Sequence, residues 1–393
     1  MVTRMGRWAG LLLSLAVGAC GNSSNPGGAG GQAGSAGAGG EAGSGGGTEE
    51  IRLVVTADWL NKSLTLFDSA ILTDGESGAG EAVVRTIDLS AFEPGPLELE
   101  LTPDGRSAVV AVGPGFFDGD GVTNGLIGSP AVPAGGALLI VDLESGDAVE
   151  VETTHVPMGI AIAADGSLAY TANYGTLDEP GNTLSVIDIA RAEVVEELSF
   201  GGRPEQVVQS PNGPLGAVNV AGANGGVHVF ETADPSATLS PLLPTGNEPS
   251  DLTFLDDATR VVVANSFGFD LSLVDTSDPS APILIGNFPI GGGVPYGVTY
   301  MPSRQQVLAP AGTGMNLVTV DVDGDRLVPA EPEAIPGGAF PLTATVDGTD
   351  SFAFVAHIAD KSLSVIDLRS GAVRALTWLD GPGPSYTAVQ PGR

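Results

Sequence analysis

A proline, an alternating stretch of about six residues and a tight polar turn recur seven times along this chain. The prolines are Pro96, Pro157, Pro204, Pro249, Pro295, Pro341 and Pro384. Their successive spacings are 61, 47, 45, 46, 46 and 43 residues. Three further strand-like runs lie between neighbouring prolines. A period in the forties with four strands per repeat is typical of a β-propeller, because each blade is one four-stranded antiparallel sheet. The sequence therefore predicts an all-β fold.

The repeat from Pro157 to Gly202 shows the strand pattern most clearly. Val, Ile, Leu, Ala and Tyr dominate four runs, while Gly, Asn, Asp and Pro occupy the joints. The dipeptide Asp165-Gly166 is a strong hairpin signal. The predicted strands are Met158–Ala163, Leu168–Asn173, Thr183–Ile189 and Val194–Phe200.

An acidic residue recurs at one place in the third strand of every repeat. Six of these residues are aspartates and the seventh is Glu231; the aspartates are Asp68, Asp142, Asp188, Asp275, Asp321 and Asp367. Short acidic side chains at strand ends accept hydrogen bonds from backbone N–H groups of the following turn. We therefore expect a structural role for them.

The two ends of the repeat region predict how the ring closes. After Pro384 only one strand remains, in the segment SYTAVQPGR. Before Pro96 there are three strands without an inner partner, IRLVVTAD, KSLTLFDS and AVVRTIDL. One C-terminal strand and three N-terminal strands complete a seventh blade. The prediction is a ring of seven blades in which Ser385–Arg393 pairs with the Ile51–Leu89 region, leaving no free edge between first and last blades.

The N-terminal segment has the pattern of an export signal. Arg4 and Arg7 precede a short apolar run, Trp8 to Val17, and small residues then lead to Cys20. Val17-Gly18-Ala19-Cys20 resembles the bacterial lipobox, which implies cleavage before Cys20 and lipidation of its thiol; ordinary signal-peptidase cleavage nearby is the alternative. Cys20 is the only cysteine in the chain. Residues 1–19 are thus predicted to be a lipoprotein signal peptide.

The segment that follows is almost entirely Gly, Ala and Ser. Residues 20–50 are predicted to be the lipidated cysteine and a flexible tether with a reach of roughly 30 Å. Residues 51–393 form the predicted propeller. This arrangement predicts a protein of the bacterial cell envelope that is anchored to a membrane by lipid and exposed to the periplasm or the cell surface.

The charge of the chain restricts its partners. There are 47 acidic and 15 basic side chains, for a formal net charge of −32, and Lys62 and Lys361 are the only lysines. Such a chain repels nucleic acid, so no nucleic-acid partner is expected, and it favours cations or basic partners. Solubility is the alternative explanation for this acidity.

One repeat resembles a known family. The stretch YTANYGTLDEPGNTLSVIDIARAEVVEELSFGGRPEQVVQSPNG resembles the YVTN-type propeller repeat, and LSLVDTSDPSAPILIGNFPIGG is similar to the related LVIVD-type repeat. The resemblance extends over Ile51 to Arg393. It implies a seven-bladed fold and an exported or surface location, and it does not imply an enzyme.

Departures from the repeat indicate where a site would lie. Two adjacent loops between second and third strands are predicted to be long, over residues 113–136 and 173–182, and loops on a rigid scaffold often carry binding residues. The candidate ligand-binding residues near the channel mouth are His155, Asn173, Tyr174, Arg203, Glu248 and His357.

The first of these loops contains a candidate metal site. Asp118, Asp120 and Asn124 alternate with glycines in a pattern that can wrap calcium, although no glutamate completes an EF-hand motif. A solvated glycine-rich turn is the alternative. Calcium is therefore the only cofactor that the sequence suggests.

Three functions remain open at this stage. The leading hypothesis is a non-catalytic binding or scaffold protein that uses its loop-rich top face to bind a protein or a small molecule. The alternative is a lactonase-type propeller hydrolase with a divalent metal at the channel mouth. A purely structural envelope protein is the third. The chain contains no GxSxG, P-loop, CxxC or CxxCH motif, so the sequence favours binding over catalysis.

Overall fold

The computed structural model describes residues 52–115, 135–256, 258–330, 335–336, 341–359, 361–377 and 383–390. Over these ranges the chain forms a ring of seven antiparallel sheets. The predicted signal peptide, Cys20 and tether lie outside the described residues, as do Asp118, Asp120 and Asn124. Within the described ranges, every helix is too short or too polar to cross a membrane.

Each sheet is one blade, and the strands are numbered in chain order. The N-terminal strands are β1 (Leu53–Asp58), β2 (Ser63–Asp68) and β3 (Val83–Asp88). Blade 1 contains β4 (Pro96–Leu101), β5 (Ser107–Val112), β6 (Ala137–Asp142) and β7 (Ala148–Val151). Blade 2 contains β8 (Ile160–Ile162), β9 (Leu168–Gly175), β10 (Pro180–Asp188) and β11 (Glu193–Ser199). Blade 3 contains β12 (Pro204–Gln209), β13 (Leu215–Val220), β14 (Gly225–Glu231) and β15 (Leu243–Gly246).

The second half of the ring follows the same order. Blade 4 contains β16 (Pro249–Phe254), β17 (Arg260–Asn265), β18 (Asp270–Asp275) and β19 (Ile283–Pro289). Blade 5 contains β20 (Thr299–Met301), β21 (Gln306–Ala311), β22 (Asn316–Asp323) and β23 (Arg326–Pro329), and β24 (Ile335–Pro336) also pairs with β22. Blade 6 contains β25 (Ala344–Val346), β26 (Phe352–His357), β27 (Ser362–Asp367) and β28 (Ala372–Leu376). Blade 7 consists of β29 (Pro384–Val389) and β1 to β3.

Helical structure in the described ranges is short and lies in the connections. Two helices separate β2 from β3, α1 (Ser69–Thr73) and α2 (Ala79–Ala82). A third helix, α3 (Pro235–Thr238), precedes β15. Single turns of 3₁₀ helix occur at Pro302–Arg304 and Gly312–Gly314.

The predicted closure of the ring is confirmed. β29 pairs antiparallel with β1, with Val389 opposite Val54 and Thr387 opposite Thr56. The last described strand of the chain is therefore the inner strand of a blade whose other three strands are the first three. This pairing closes the ring with backbone hydrogen bonds between residues more than 300 positions apart in sequence.

The repeated acidic residues form the turn contacts that the sequence predicts. Asp142 Oδ1 accepts hydrogen bonds from the backbone N–H groups of Glu144 and Ser145. Asp68, Asp188, Asp275 and Asp367 accept equivalent bonds after their own strands. Asp321 differs, because its Oδ1 accepts from the Gln306 side chain instead. The prediction holds for five of the seven positions.

The apolar core lies between neighbouring blades, where the face of one sheet packs on the next. Leu64 and Ile87 of blade 7, for example, belong to one buried cluster with Leu99, Val110 and Leu139 of blade 1. The outermost strands alternate between exposed and partly buried residues, as in β3 and β11. The innermost strands are buried among the other blades, so a polar side chain there faces a neighbouring blade or the central channel.

Candidate ligand site in the central channel

The inner strands of all seven blades line a central channel. We call the end at which these strands begin the top face. Just inside it lies a cavity of about 60 Å³, the upper cavity. Its walls come from every blade: Leu97, Glu98, Met158, Glu205, Gln206, Ser250, Asp251, Tyr296, Leu342, Thr343, Ser385 and Tyr386.

Two carboxylates in this wall accept hydrogen bonds from other blades. Glu98 Oε1 accepts hydrogen bonds from the backbone N–H of Ile160 (3.1 Å) and from Gln206 Nε2 (2.8 Å). Asp251 Oδ2 accepts from the backbone N–H of Val298 (2.8 Å). Burial nevertheless raises the pKa of Glu98 well above its ordinary value and that of Asp251 to about 7. Both groups therefore bind protons more readily than exposed carboxylates do.

Arg203 supplies a cation at the mouth of the channel. Arg203 Nη1 donates a 2.9 Å hydrogen bond to the Tyr174 hydroxyl, and Nη2 donates to the Thr176 carbonyl at 3.2 Å. The Arg203 Cζ atom also lies 4.5 Å from the centre of the Tyr174 ring. Two hydrogen bonds and a cation–π contact fix the guanidinium in place.

Two further carboxyl groups lie in the electrostatic field of this arginine. Burial, then the charge of Glu248, raises the pKa of Glu205 well above its ordinary value, and the Arg203 charge opposes the rise. Burial likewise raises the pKa of Glu248, again opposed by Arg203. Burial also raises the pKa of Tyr296 to about 12. The mouth thus combines a fixed guanidinium, two carboxyl groups of raised pKa and neutral phenols, which together can hydrogen-bond a polar ligand.

The structure brings three of the predicted site residues together and places the others elsewhere. Tyr174, Arg203 and Glu248 are neighbours at the mouth. Glu248 adopts a left-handed backbone conformation with φ of 55°. Its backbone N–H donates to the Gly222 carbonyl.

Asn173 and His357 are fully buried inside their blades. Asn173 Nδ2 donates to the hydroxyls of Thr183 (2.8 Å) and Ser185 (2.9 Å) on the next strand. His357 Nε2 lies 2.9 Å from Ser364 Oγ. The equivalent residues of blades 7 and 4, Asp58 and Asn265, also bond hydroxyls of their third strands. In these four blades a residue at or near the end of the second strand joins the second and third strands through a buried polar contact.

His155 lines a different cavity, between blades 1 and 2. This cavity measures about 290 Å³ and also borders Glu150, Glu152 and Glu179. His155 Nδ1 is buried there without a hydrogen-bond partner among the described residues. The segment Thr176–Glu179 separates this cavity from the mouth, since its Thr176 carbonyl faces Arg203. His155 therefore does not share the cluster of Tyr174, Arg203 and Glu248.

The second of the two loops predicted to be long is mostly strand, so that prediction is wrong. β9 continues to Gly175 and β10 begins at Pro180, with a register shift between Pro180 and Thr183. Gly175 has φ of 77°, and a Cβ at Gly181 would lie 1.8 Å from the Asn173 carbonyl oxygen. The two glycines allow the strands to extend into a segment that resembles a loop in sequence.

The donor set at the mouth does not fit a divalent metal. Within the described ranges no three His, Cys, Asp or Glu side chains are grouped as metal ligands would be. The Arg203 guanidinium also stands beside Glu205 and Glu248, where it repels a cation.

The sequence-based candidates omit the acidic residues of the inner strands. Glu98, Glu100 and Asp251 follow the blade prolines by two or four positions, and Glu205 follows Pro204 directly. A strand predicted to be innermost tolerates such charges only where they face a channel or hydrogen-bond a neighbouring blade. That rule, applied to each segment after a blade proline, identifies all four residues.

Comparison with known proteins shows the fold and no family. No protein-family model and no curated protein matches the chain. A solved protein of unknown function from Desulfotomaculum acetoxidans is similar with a TM-score of 0.65 and 16% identity, over 87% of this chain and 99% of that one. The periplasmic gluconolactonase PpgL of Pseudomonas aeruginosa is similar with a TM-score of 0.64 and 19% identity, over the same shares of each chain. Hydrazine synthase of Kuenenia stuttgartiensis is similar with a TM-score of 0.57 and 18% identity, over 80% of this chain and 89% of that one. At these identities the likeness establishes the β-propeller fold alone.

Proposed function

We propose that this protein is an exported, lipid-anchored β-propeller that binds a ligand non-catalytically at its channel mouth. The observation that carries the proposal is the fixed guanidinium of Arg203, held by Tyr174 and the Thr176 carbonyl in the field of Glu205 and Glu248. A preorganised donor group beside carboxyl groups of raised pKa suits a polar ligand, because the site has little ordering left to lose on binding.

The location of the protein is part of the same proposal. The N-terminal sequence pattern supports export and acylation of Cys20, and the Gly/Ala/Ser segment would hold the ring away from the membrane. Membrane fractionation of cells that express the full chain tests this. The wild-type protein should be found with membranes, and Cys20→Ala should be unprocessed or released. A Cys20→Ala protein that is processed and membrane-bound like the wild type would contradict lipid anchoring.

A thermal-shift screen of the mature chain tests binding at the mouth. Small polar metabolites and short peptides are the probes, and Arg203→Met is the test variant. Arg191→Met is the matched control, because Arg191 is an exposed arginine of blade 2 that pairs with Asp188. Compounds that stabilise the wild type should stabilise the control equally and Arg203→Met much less. The proposal fails if no compound stabilises the wild type, or if every shift persists in Arg203→Met.

Lactone hydrolysis is a second candidate function. It is favoured by the raised pKa of Glu205, since a protonated carboxyl group can donate its proton to a leaving oxygen while a nearby guanidinium stabilises a developing oxyanion. The similar fold of a gluconolactonase is an analogy only. Turnover of a sugar-lactone panel, lost in Glu205→Gln, would support this candidate. Equal rates with and without the protein would exclude it for those substrates.

A further inference from the structure

Below the upper cavity the channel widens into a second, larger space. We call it the lower chamber; its volume is about 430 Å³ and it is lined by the later residues of the inner strands. Gln206, Asp251, Thr343 and Tyr386 border both spaces and so form the partition between them. The chamber volume lies in the range of small-molecule pockets, roughly 300–1,000 Å³.

The walls of the lower chamber expose polar and apolar atoms about equally. The aliphatic and aromatic lining residues include Ile160, Ala161, Ile162, Val207, Val208, Leu252, Phe254, Val298, Tyr300 and Ala344. The lining residues include neither lysine nor arginine. The chamber therefore offers a partly apolar surface and no internal cation.

Glu100 is the one carboxyl group of this wall without a protein partner. Asp251 accepts two backbone hydrogen bonds, from Leu252 and Val298, whereas no described residue donates to Glu100. Its pKa is raised to about 7 by burial alone. One polar atom of the wall is buried and unsatisfied, because Thr343 Oγ1 has no hydrogen bond to any described residue. Buried polar groups normally have partners, so this atom, on the same wall as the unpaired Glu100 carboxyl group, indicates a missing ligand.

We propose that the lower chamber is a second binding site, for a small organic cation with an apolar body. Glu100 would pair with the cationic group, Thr343 would hydrogen-bond it, and the apolar part of the wall would cover the rest. A divalent metal suits the chamber poorly, because Asp251 is occupied by backbone N–H groups and one free carboxylate is too few ligands. The site is separate from the mouth and does not depend on the function proposed there.

Binding of such a cation should be coupled to proton release. The groups that face Glu100 are Glu98 on its own strand, Asp251 on β16 and Tyr386 on β29, all acidic or neutral. A cation binds the ionised form of Glu100 and lowers its pKa, so affinity should rise from pH 6 to pH 8 and then level off.

Isothermal titration calorimetry of the mature chain with benzylammonium, the protonated form of benzylamine, tests the proposal. This amine stays protonated from pH 6 to pH 8 and carries N–H donors for Glu100 and Thr343, and benzyl alcohol is the neutral comparison. We expect the cation to bind at pH 8 and the alcohol to bind at least about tenfold more weakly. Glu100→Gln should weaken binding of the cation by about tenfold or more and reduce its pH dependence, leaving only the part that comes from Asp251. Glu205→Gln, which alters the upper cavity, and Arg203→Met, which alters the mouth, should change the affinity less than about twofold.

Three results would overturn the proposal. They are no binding of the cation, equal binding of the alcohol and the cation, and unchanged affinity in Glu100→Gln. If Glu100→Gln does not fold, the wild-type protein alone decides. Titrations with the cation at pH 7 in buffers of different ionisation enthalpy should then show proton release. Binding without proton release would refute the assignment of Glu100 as the group that binds the cation. Because Arg203→Met should retain this probe, failure here is distinguishable from failure of the mouth site.

Discussion

Gln206 Nε2 in blade 3 donates a 2.8 Å hydrogen bond to Glu98 Oε1 in blade 1. The bond therefore joins two blades that are separated by blade 2. The inner segment of blade 2 has Gly159 at this place. A Cβ on Gly159 would lie 2.2 Å from Gln206 Oε1 and 2.6 Å from the Glu205 carbonyl oxygen. The absence of a side chain in blade 2 thus allows blades 1 and 3 to bond directly.

Replacement of Gly159 should therefore destabilise the ring. We expect Gly159→Ala to lower the free energy of unfolding by about 1–3 kcal/mol, because the added methyl group overlaps a backbone oxygen that cannot move freely. Urea denaturation provides the measurement. Gly201→Ala is the matched control, since a Cβ there meets nothing within 4 Å, and its effect should stay within about 0.5 kcal/mol. Equal effects of the two substitutions would contradict this account.

Removal of the last strand should weaken the whole ring. Deletion of residues 384–393 removes the pairing of β29 with β1 and the contacts of Ser385 Oγ with the Pro96 and Leu97 carbonyls. We expect a loss of roughly 5 kcal/mol or more and faster amide exchange in blades 1 and 6. Hydrogen–deuterium exchange measures this. Deletion of residues 391–393 alone is the control. If deletion of residues 384–393 speeds amide exchange in blade 7 only, cooperative closure of the ring is contradicted.

The stability of the protein should fall between about pH 4.5 and pH 7. Burial raises the pKa of Glu100 from 4.5 to about 7, so the folded state binds more protons than the unfolded state in this window. Unfolding free energy then decreases as pH rises, by up to about 1.4 kcal/mol per pH unit for one such group. Chemical denaturation at pH 5, 6, 7 and 8 should show a shallower slope for Glu100→Gln. Identical slopes for the wild type and Glu100→Gln would show that Glu100 does not contribute to this pH dependence of stability.

Below pH 4 the dependence should reverse. Backbone hydrogen bonds from Arg369 and Ser370 lower the pKa of Asp367, and those from Ser145 and Glu144 help to lower that of Asp142. These turns are stabilised above the ordinary aspartate pKa and lose that contribution as pH falls through the lowered value. Stability should therefore be greatest near pH 4.5–5. The same denaturation series, extended to pH 3, locates the maximum.

Loss of Arg203 should raise the pKa values of its acidic neighbours. The charge of Arg203 opposes the rise at Glu205 and Glu248, so Arg203→Met should move both titrations to higher pH. Carbon-13 NMR of the glutamate carboxyls measures them directly. The control Arg191→Met should leave both pKa values unchanged. Unchanged pKa values in Arg203→Met would contradict the influence of the guanidinium.

Asn173 should matter more to stability than to binding at the mouth. Asn173→Ala leaves the hydroxyls of Thr183 and Ser185 without their buried partner, at a cost of about 1–3 kcal/mol. Thermal denaturation should show this loss, whereas Asn212→Ala, at an exposed asparagine, should be nearly neutral. Compounds that bind the wild type should still bind the folded Asn173→Ala protein. If the Asn173→Ala protein is stable but no longer binds these compounds, Asn173 contacts the ligand directly.

Much of the architecture was encoded in local sequence, because strand period, turn residues and spacing repeat in every blade. Pro384 followed by a single strand, and three strands before Pro96, were sufficient to predict the seventh blade and its closure. The turn aspartates were predictable for the same reason: Asp142 and Asp367 contact residues two or three positions away. Contacts of short range repeat whenever the local pattern repeats.

The character of the channel was decided by tertiary structure. Asn173 and Tyr174 are adjacent in sequence, yet one is buried between two strands and the other holds Arg203 at the mouth, because successive side chains of a strand point to opposite faces. The pairing of Glu98 with Gln206, 108 positions away, depends on the ring and on Gly159 between them. The sequence alone determined the ring and its number of blades. Only the tertiary structure determined which carboxyl groups bond another blade and which, like Glu100, face the channel without a partner. The reason is that closing the ring brings seven distant segments around one axis.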